Sequence, residues 1–198
     1  VAQKTHDAED RQHVLQKVIS GVDNAARVVQ QLLILARIDQ ATPMKDIKRV
    51  DLCYTATMTL QELAPLALKK DIEISLSETC RGILYGNPDT LSILLANLVH
   101  NAINYTPAHG TITVDITTHA DRVQLSVCDS GPGIPVGERD KVMRRFYRGR
   151  DVTQAGSGLG LSIVARIVEL HKAQVVLGDS PLGGLQVDVL FPLKAGPT

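Results

Sequence analysis

The 198-residue chain has no tryptophan and only two phenylalanines, and aromatic side chains make up 3% of it. Any core it buries is therefore built from Leu, Ile, Val and Ala. Net charge is also missing, because 21 lysines and arginines balance 21 aspartates and glutamates. Bulk nucleic-acid binding needs a basic footprint to release counterions, so no nucleic-acid partner is expected. No apolar run approaches the roughly 18 residues of a membrane-spanning helix and no signal-peptide pattern opens the chain, which predicts no membrane contact by these residues themselves. Cys53, Cys80 and Cys128 are odd in number and free of CxxC spacing. They predict reduced thiols in a cytosolic setting and no zinc site. What is present, 44% apolar and 21% charged residues, is the composition of a globular protein long enough to bury a real core.

Residues 8 to 40 carry one helical pattern, with Val14, Val18, Val22, Ala25, Val29, Leu32 and Ala36 recurring at three- and four-residue steps. A helix of about thirty residues, roughly 45–50 Å long, outruns a small core and predicts partner helices in a coiled coil or bundle. Pro43 in "QATPMKD" ends it and sets a domain boundary, with a helical region over 1–42 and a second domain over 43–198. In that second domain "IKRVDL", "IEISLS", "GILYG", "TITVDITT", "RVQLSVCD", "QVVLGDS" and "LQVDVLFP" read as strands. Residues 54–69, 88–105 and 159–171 read as helices. The order lacks strict βαβ alternation and predicts an α+β fold, a two-layer sandwich with a mixed sheet on about three helices.

Three stretches carry chemistry. In "NLVHNAINYTP" the apolar stripe Leu91, Leu94, Leu98, Ala102 is bordered by Asn101, with Asn97 one turn earlier and Asn104 three residues on. Amides at a buried edge must be satisfied, either as hydrogen-bonded core asparagines or as hard-oxygen ligands for Mg2+. In "VCDSGPGIP" Asp129 ends an apolar strand, and Gly131 and Gly133 allow close backbone approach. The stretch reads as an ordinary turn or as a carboxylate poised to accept from an exocyclic amine. In "GSGLGLSIVARIVEL" Gly156, Gly158 and Gly160 lead into an apolar helix, an arrangement that offers backbone amides and a positive dipole end to an anion. No βαβ unit precedes these glycines and no Gly-Lys-Ser/Thr follows, which excludes the dinucleotide-binding and Walker A readings. Between the second and third stretches stand Arg139, Lys141, Arg144, Arg145, Arg148 and Arg150 against Glu138, Asp140 and Asp151. This segment is either a solvated loop or a basic lid over phosphates, with Arg148 the candidate contact.

Taken in order, these motifs resemble the ATP-binding domain of sensor histidine kinases, in the superfamily shared with gyrase, Hsp90 and MutL. "NLVHNAINY" is similar to the N box, "DSGPGIP" to the G1 box, "RFYRG" to the F box and "GSGLGLSIV" to the G2 box. The likeness runs over roughly residues 45 to 193 and is greatest to the membrane-anchored group that signals to OmpR-type response regulators. It implies ATP and Mg2+ as cofactors, with Asn101 on the metal and Asn97 lining the same face. It implies that Tyr105 stacks on adenine, Asp129 accepts from its amino group, and Gly131 and Gly133 border the base. Gly156, Gly158 and Gly160, with Leu161 beside them, would place amides on the phosphates, Phe146 would anchor the lid and Arg148 would reach the phosphate tail. His100 departs from the pattern where an acid or Asn is common, as does Asn104 where a Lys or Arg meets a phosphate.

The resemblance also implies that residues 8–40 belong to the second helix of a homodimerising phosphotransfer bundle. The full protein would then sit in the bacterial inner membrane with this portion in the cytoplasm. The family's acceptor is similar to His-Glu/Asp-x-Arg-x-Pro, and "HDAEDR" around His6 lacks the Arg and the Pro. His6 is therefore expected in a loop between bundle helices and the true acceptor outside this chain; His13 fits no better. A gyrase- or Hsp90-type ATPase is the first alternative, opposed by Asn97 where those enzymes carry a water-activating Glu. The second is a non-catalytic dimerising nucleotide-binding module.

Overall fold

The structure, a computed structural model, describes residues 2–40, 46–77, 81–147 and 157–193. Helix α1 (Ala2–Gln40) runs for 39 residues. It begins at Ala2 rather than at residue 8, so His6 lies inside a helix and not in a loop. No Pro or Gly occurs between Ala2 and Ser20 to stop it. Leu15, Val18, Ile19, Val22, Val29, Leu32 and Leu33 are exposed, whereas Leu35 and Ile38 are buried against the rest of the chain. The helix thus docks by its last turns and leaves most of its apolar stripe uncovered.

Strand β1 (Lys48–Asp51) pairs antiparallel with β3 (Ile83–Gly86) as a separate two-stranded ribbon. Asp51 then caps α2 (Leu52–Leu68), its Oδ1 accepting from the Cys53 and Tyr54 amides at 2.9 and 3.2 Å. After β2 (Glu73–Leu76) comes α3 (Pro88–Tyr105), with Pro88 in its first turn and Asn87 Oδ1 accepting from the Thr90 amide at 3.0 Å. Strands β4 (Thr111–Thr118) and β5 (Arg122–Asp129) are followed by a single 3-10 turn, Val136–Glu138, and the short helix α4 (Arg139–Val142). Helix α5 (Gly160–Leu170), β6 (Gln174–Asp179) and β7 (Leu185–Pro192) complete the described elements. The 3-10 turn and α4 lie in the stretch read as loop or lid, where charge density hid their helical character.

The larger sheet has the order β2-β4-β5-β7-β6, and only β2–β4 is parallel. Period-two alternation sends Ile112, Val114, Ile116, Val123, Leu125, Val127, Val187, Val189 and Phe191 to one buried face. Leu91, Leu94, Leu95 and Leu98 of α3 and Ile163 and Ile167 of α5 share that core, each contributing about 1.5–3 kcal/mol by leaving water. The architecture is the expected α+β two-layer sandwich, with α2, α3 and α5 forming the helical layer. The thiol expectation needs correction. Cys53 is disulfide-bonded, its partner lying outside the described residues, while Cys128 is free and buried.

Candidate functional site

Helices α3 and α5 lie side by side in the helical layer, and β5 and β7 are neighbours in the sheet. That arrangement brings the three motif stretches together, although they are separated in sequence. The Asn101 carboxamide of α3 rests against the first residue of α5. A Cβ built on Gly160 would stand 3.0 Å from Asn101 Oδ1 and 3.1 Å from Nδ2. Leu159 supplies no side-chain cap to α5, so its first-turn amides keep their donor capacity beside that carboxamide. Leu161 is half-buried and packs on the core.

Asp129, at the end of β5, is only 6% exposed. Its Oδ1 accepts from the Gly131 amide at 2.8 Å and the Leu185 amide at 3.1 Å. Burial pushes its carboxyl above the usual carboxylate range, and those two amides pull the other way. The walls here leave no room for side chains. A Cβ on Gly131 would stand 2.9 Å from the Tyr105 carbonyl oxygen, and one on Gly184 would stand within 2.5 Å of both the Asp129 carbonyl oxygen and the Gly131 nitrogen. Gly133 has φ +70° and faces the Gly184 carbonyl. Beneath it a cavity of about 240 Å³ is lined by Pro132, Gly133, Ile134, Arg139, Asp179 and Gly184, among others. Arg139 fixes that loop through the Ile134 carbonyl at 3.0 Å and Asp179 at 2.5 Å.

The segment between the glycine motifs is tied back by its backbone. The Phe146 amide donates to the Gly158 carbonyl at 3.0 Å. Phe146 itself adopts φ 62°, unusual for a bulky residue, and its ring is 61% exposed. The tie at Phe146 is therefore made by its main chain and not by its ring. Gly158, at φ +70°, allows the approach, because a Cβ there would stand 2.8 Å from the Phe146 carbonyl carbon and the Tyr147 oxygen. Arg148 and Gly156 lie outside the described residues.

Helix α1 reaches the same face, a contact that nothing in the sequence announced. Ser157 Oγ donates to Gln31 Oε1 at 2.5 Å, and Gln31 Nε2 lies 3.5 Å from Asn97 Oδ1. Asn97 also donates to the Ile93 carbonyl at 2.8 Å. His100 stands between Arg27, 3.1 Å from its Nε2, and the Asn104 carboxamide, 3.0 Å from its Nδ1. Burial, then the Arg27 charge, lowers the His100 pKa and favours a neutral ring. Asp39 accepts from Arg145 at 2.8 Å and Arg166 at 3.1 Å. Gly184 and Leu185 were likewise missed, although the Gly-Gly of "SPLGGLQV" is a turn signal that pointed at Gly184.

Compared with known proteins, residues 86–195 match the family of histidine kinase-, DNA gyrase B- and HSP90-like ATPases. Over 194 residues, 97% of the chain, it is 37% identical to the sensor protein kinase PmrB of Pseudomonas aeruginosa. Over 184 residues, 92% of the chain, it is 36% identical to the sensor protein QseC of Escherichia coli K12. The chain spans 40% of the length of each of these relatives. Among solved structures, the cytoplasmic segment of histidine kinase QseC superposes with a TM-score of 0.59 at 28% identity, covering 85% of this chain and 93% of that one. Among the described residues no helix is long and apolar enough to cross a membrane.

Proposed function

Since the chain belongs to the histidine kinase-, DNA gyrase B- and HSP90-like ATPase family, among the sensor histidine kinases, we propose that it is a catalytic portion that positions Mg-ATP for phosphoryl transfer to a histidine. The observation that carries this reading is the Asn101 carboxamide lying against Gly160 at the uncapped start of α5. A hard amide oxygen beside a helix N-terminus suits a magnesium ion shared with phosphates. The residues present fit the group: Asn101 would hold Mg2+, with Asn97 on the same face. Asp129 would accept from the adenine amino group, beside Tyr105, Gly131 and Gly133. Gly156, Gly158, Gly160 and Leu161 would offer amides to the phosphates, under a lid carried by Phe146 and Arg148. Mg-ATP supplies the transferable phosphoryl group and the charge that offsets it. The protein's part is to exclude water at Asp129, orient the base and aim the phosphate chain past α5.

The acceptor is proposed to be a histidine outside residues 1–198, since His6 and His13 lack the acceptor pattern. The phosphoryl group would pass on to an OmpR-type response regulator. The exposed stripe of α1 from Leu15 to Leu33 supports a homodimer through residues 8–40, within a helical region 1–42 that leads into the ATP-binding domain 43–198. The full protein is proposed to be anchored in the bacterial inner membrane, with this portion on the cytoplasmic side. Titration with ATP, with and without Mg2+, followed by intact mass after incubation tests the reading. Magnesium-dependent binding with no added phosphate is expected. A gain of one acid-labile phosphate would overturn the placement of the acceptor, and no binding would overturn the site.

A further inference from the structure

Lys70 lies in the turn from α2 to β2, and its ammonium points at the C-terminus of α3. Nζ donates to the carbonyls of Thr106 at 2.6 Å, Ile103 at 2.7 Å and Asn104 at 3.2 Å. Three N–H donors thus meet three acceptors. Helix α3 has no basic residue in its own last turn, so Lys70 brings from another element the cation that the negative end of the helix favours. The backbone of the same turn is fixed as well, the His109 amide donating to the Lys70 carbonyl at 3.2 Å.

The end of α3 also bears on the Asp129 turn. The Tyr105 carbonyl oxygen would stand 2.9 Å from a Cβ on Gly131, and the carbonyl carbon 3.2 Å. Thr111 and Ser130 exchange two bonds, the Thr111 amide to Ser130 Oγ at 2.9 Å and the Ser130 amide to the Thr111 carbonyl at 3.1 Å. The last turn of α3 is therefore held between Lys70 and the turn that carries Asp129. We propose that Lys70 is a positioning residue for nucleotide binding: it fixes the last turn of α3, and through it Tyr105 and the Asp129–Gly131 turn, in the register that the base requires. The inference rests on the nucleotide reading of the site.

The test compares Lys70→Met and Lys70→Arg with the parent chain, reading Mg-ATP and Mg-ADP dissociation constants by calorimetry beside a thermal melt. Lys70→Met removes all three donors and is expected to weaken both nucleotides by the same factor, about tenfold. Lys70→Arg keeps the cation and its donors and restores affinity to within about threefold of the parent. A folded Lys70→Met protein with parental affinity for both nucleotides would mean that Lys70 only caps a helix, and overturns the proposal. So does a loss larger for ATP than for ADP, which would put the effect at the phosphates. If Lys70→Met melts below the assay temperature, Lys70→Gln, which keeps an amide donor, carries the same comparison. A parent chain that binds neither nucleotide overturns the nucleotide reading itself, a result distinct from all of these.

Discussion

Around Asp129 the walls of the candidate site are backbone: the Gly131 and Leu185 amides on its carboxylate, the Tyr105 carbonyl behind Gly131, and Gly184 with no space for a methyl group. Around Gly158 and Gly160 the site is closed by one main-chain bond to Phe146 and by side chains of α1, with Gln31 on Ser157 and Asp39 on two arginines. The first end is set by the fold and can change only with it. The second is joined in part by an ion pair worth little by itself, because Asp39 and Arg145 are 40% and 51% exposed. The difference teaches that the end assigned to the base is a fixed socket. The end assigned to the phosphates is where side chains of α1 reach the site.

Substitution at Gly184 breaks the fixed end most severely. Gly184→Ala would set a methyl group against the Asp129 carboxylate and backbone. It is expected to cost about 1–3 kcal/mol in urea unfolding, as overpacking does, and to abolish Mg-ATP binding. Asp129→Asn separates the two quantities. Its dissociation constant should rise about 10–100-fold while unfolding at pH 7 shows no loss of stability. The sign follows from the raised pKa of Asp129: a native state that holds a proton more tightly than the unfolded state loses stability as pH rises through the interval above the ordinary value. The parent chain pays that penalty at pH 7 and Asp129→Asn does not. A lower stability for the variant across that interval would contradict the assigned burial.

At the other end, Gly160→Ala would press on the Asn101 carboxamide, which must give by a few tenths of an ångström. Calorimetry is expected to find Mg-ATP binding weakened about tenfold, with stability changed by less than the roughly 1 kcal/mol by which Ala exceeds Gly in a helix interior, since Gly160 is the first residue of α5. Parallel losses at Gly160 and Gly184 would erase the contrast between the two ends. The smallest effect is expected for Asp39→Ala, about 1 kcal/mol or less for exposed ion pairs, read as faster amide exchange in the last turns of α1. The Arg145 hydrogen bond lowers the Asp39 pKa first. Its contribution is therefore present above the ordinary carboxylate value and fades as pH falls through the lowered one.

Much of the fold was legible. The helix read from Pro88 to about Tyr105 is α3, whose start is capped by Asn87 and whose end gives way at Thr106, before Pro107. Strand β4 alternates strictly and β5 alternates up to Val127, and both were read equally well. The separation of β1 and β3 as a ribbon was not legible, because alternation says which residues face inward but not which strand they pair with. The glycines at 131, 133, 158 and 160 were found as glycines. The Gly-Gly turn signal marked Gly184 as a turn, and its place at the site follows from the start of β7 lying beside Asp129. Cys53 shows the same limit, since spacing alone gave no sign of its disulfide.

By itself the sequence determined the elements, the apolar face of each and the order of the motifs, because these follow from local propensity and periodicity along a single chain. The tertiary structure alone decided that Asn101 meets Gly160, that Lys70 closes the end of α3, and that Gln31 and Asp39 of α1 reach the glycine segment. Each of these joins residues dozens of positions apart. Such contacts arise when separate apolar faces are buried together, and no local pattern encodes which polar groups that burial brings within bonding distance.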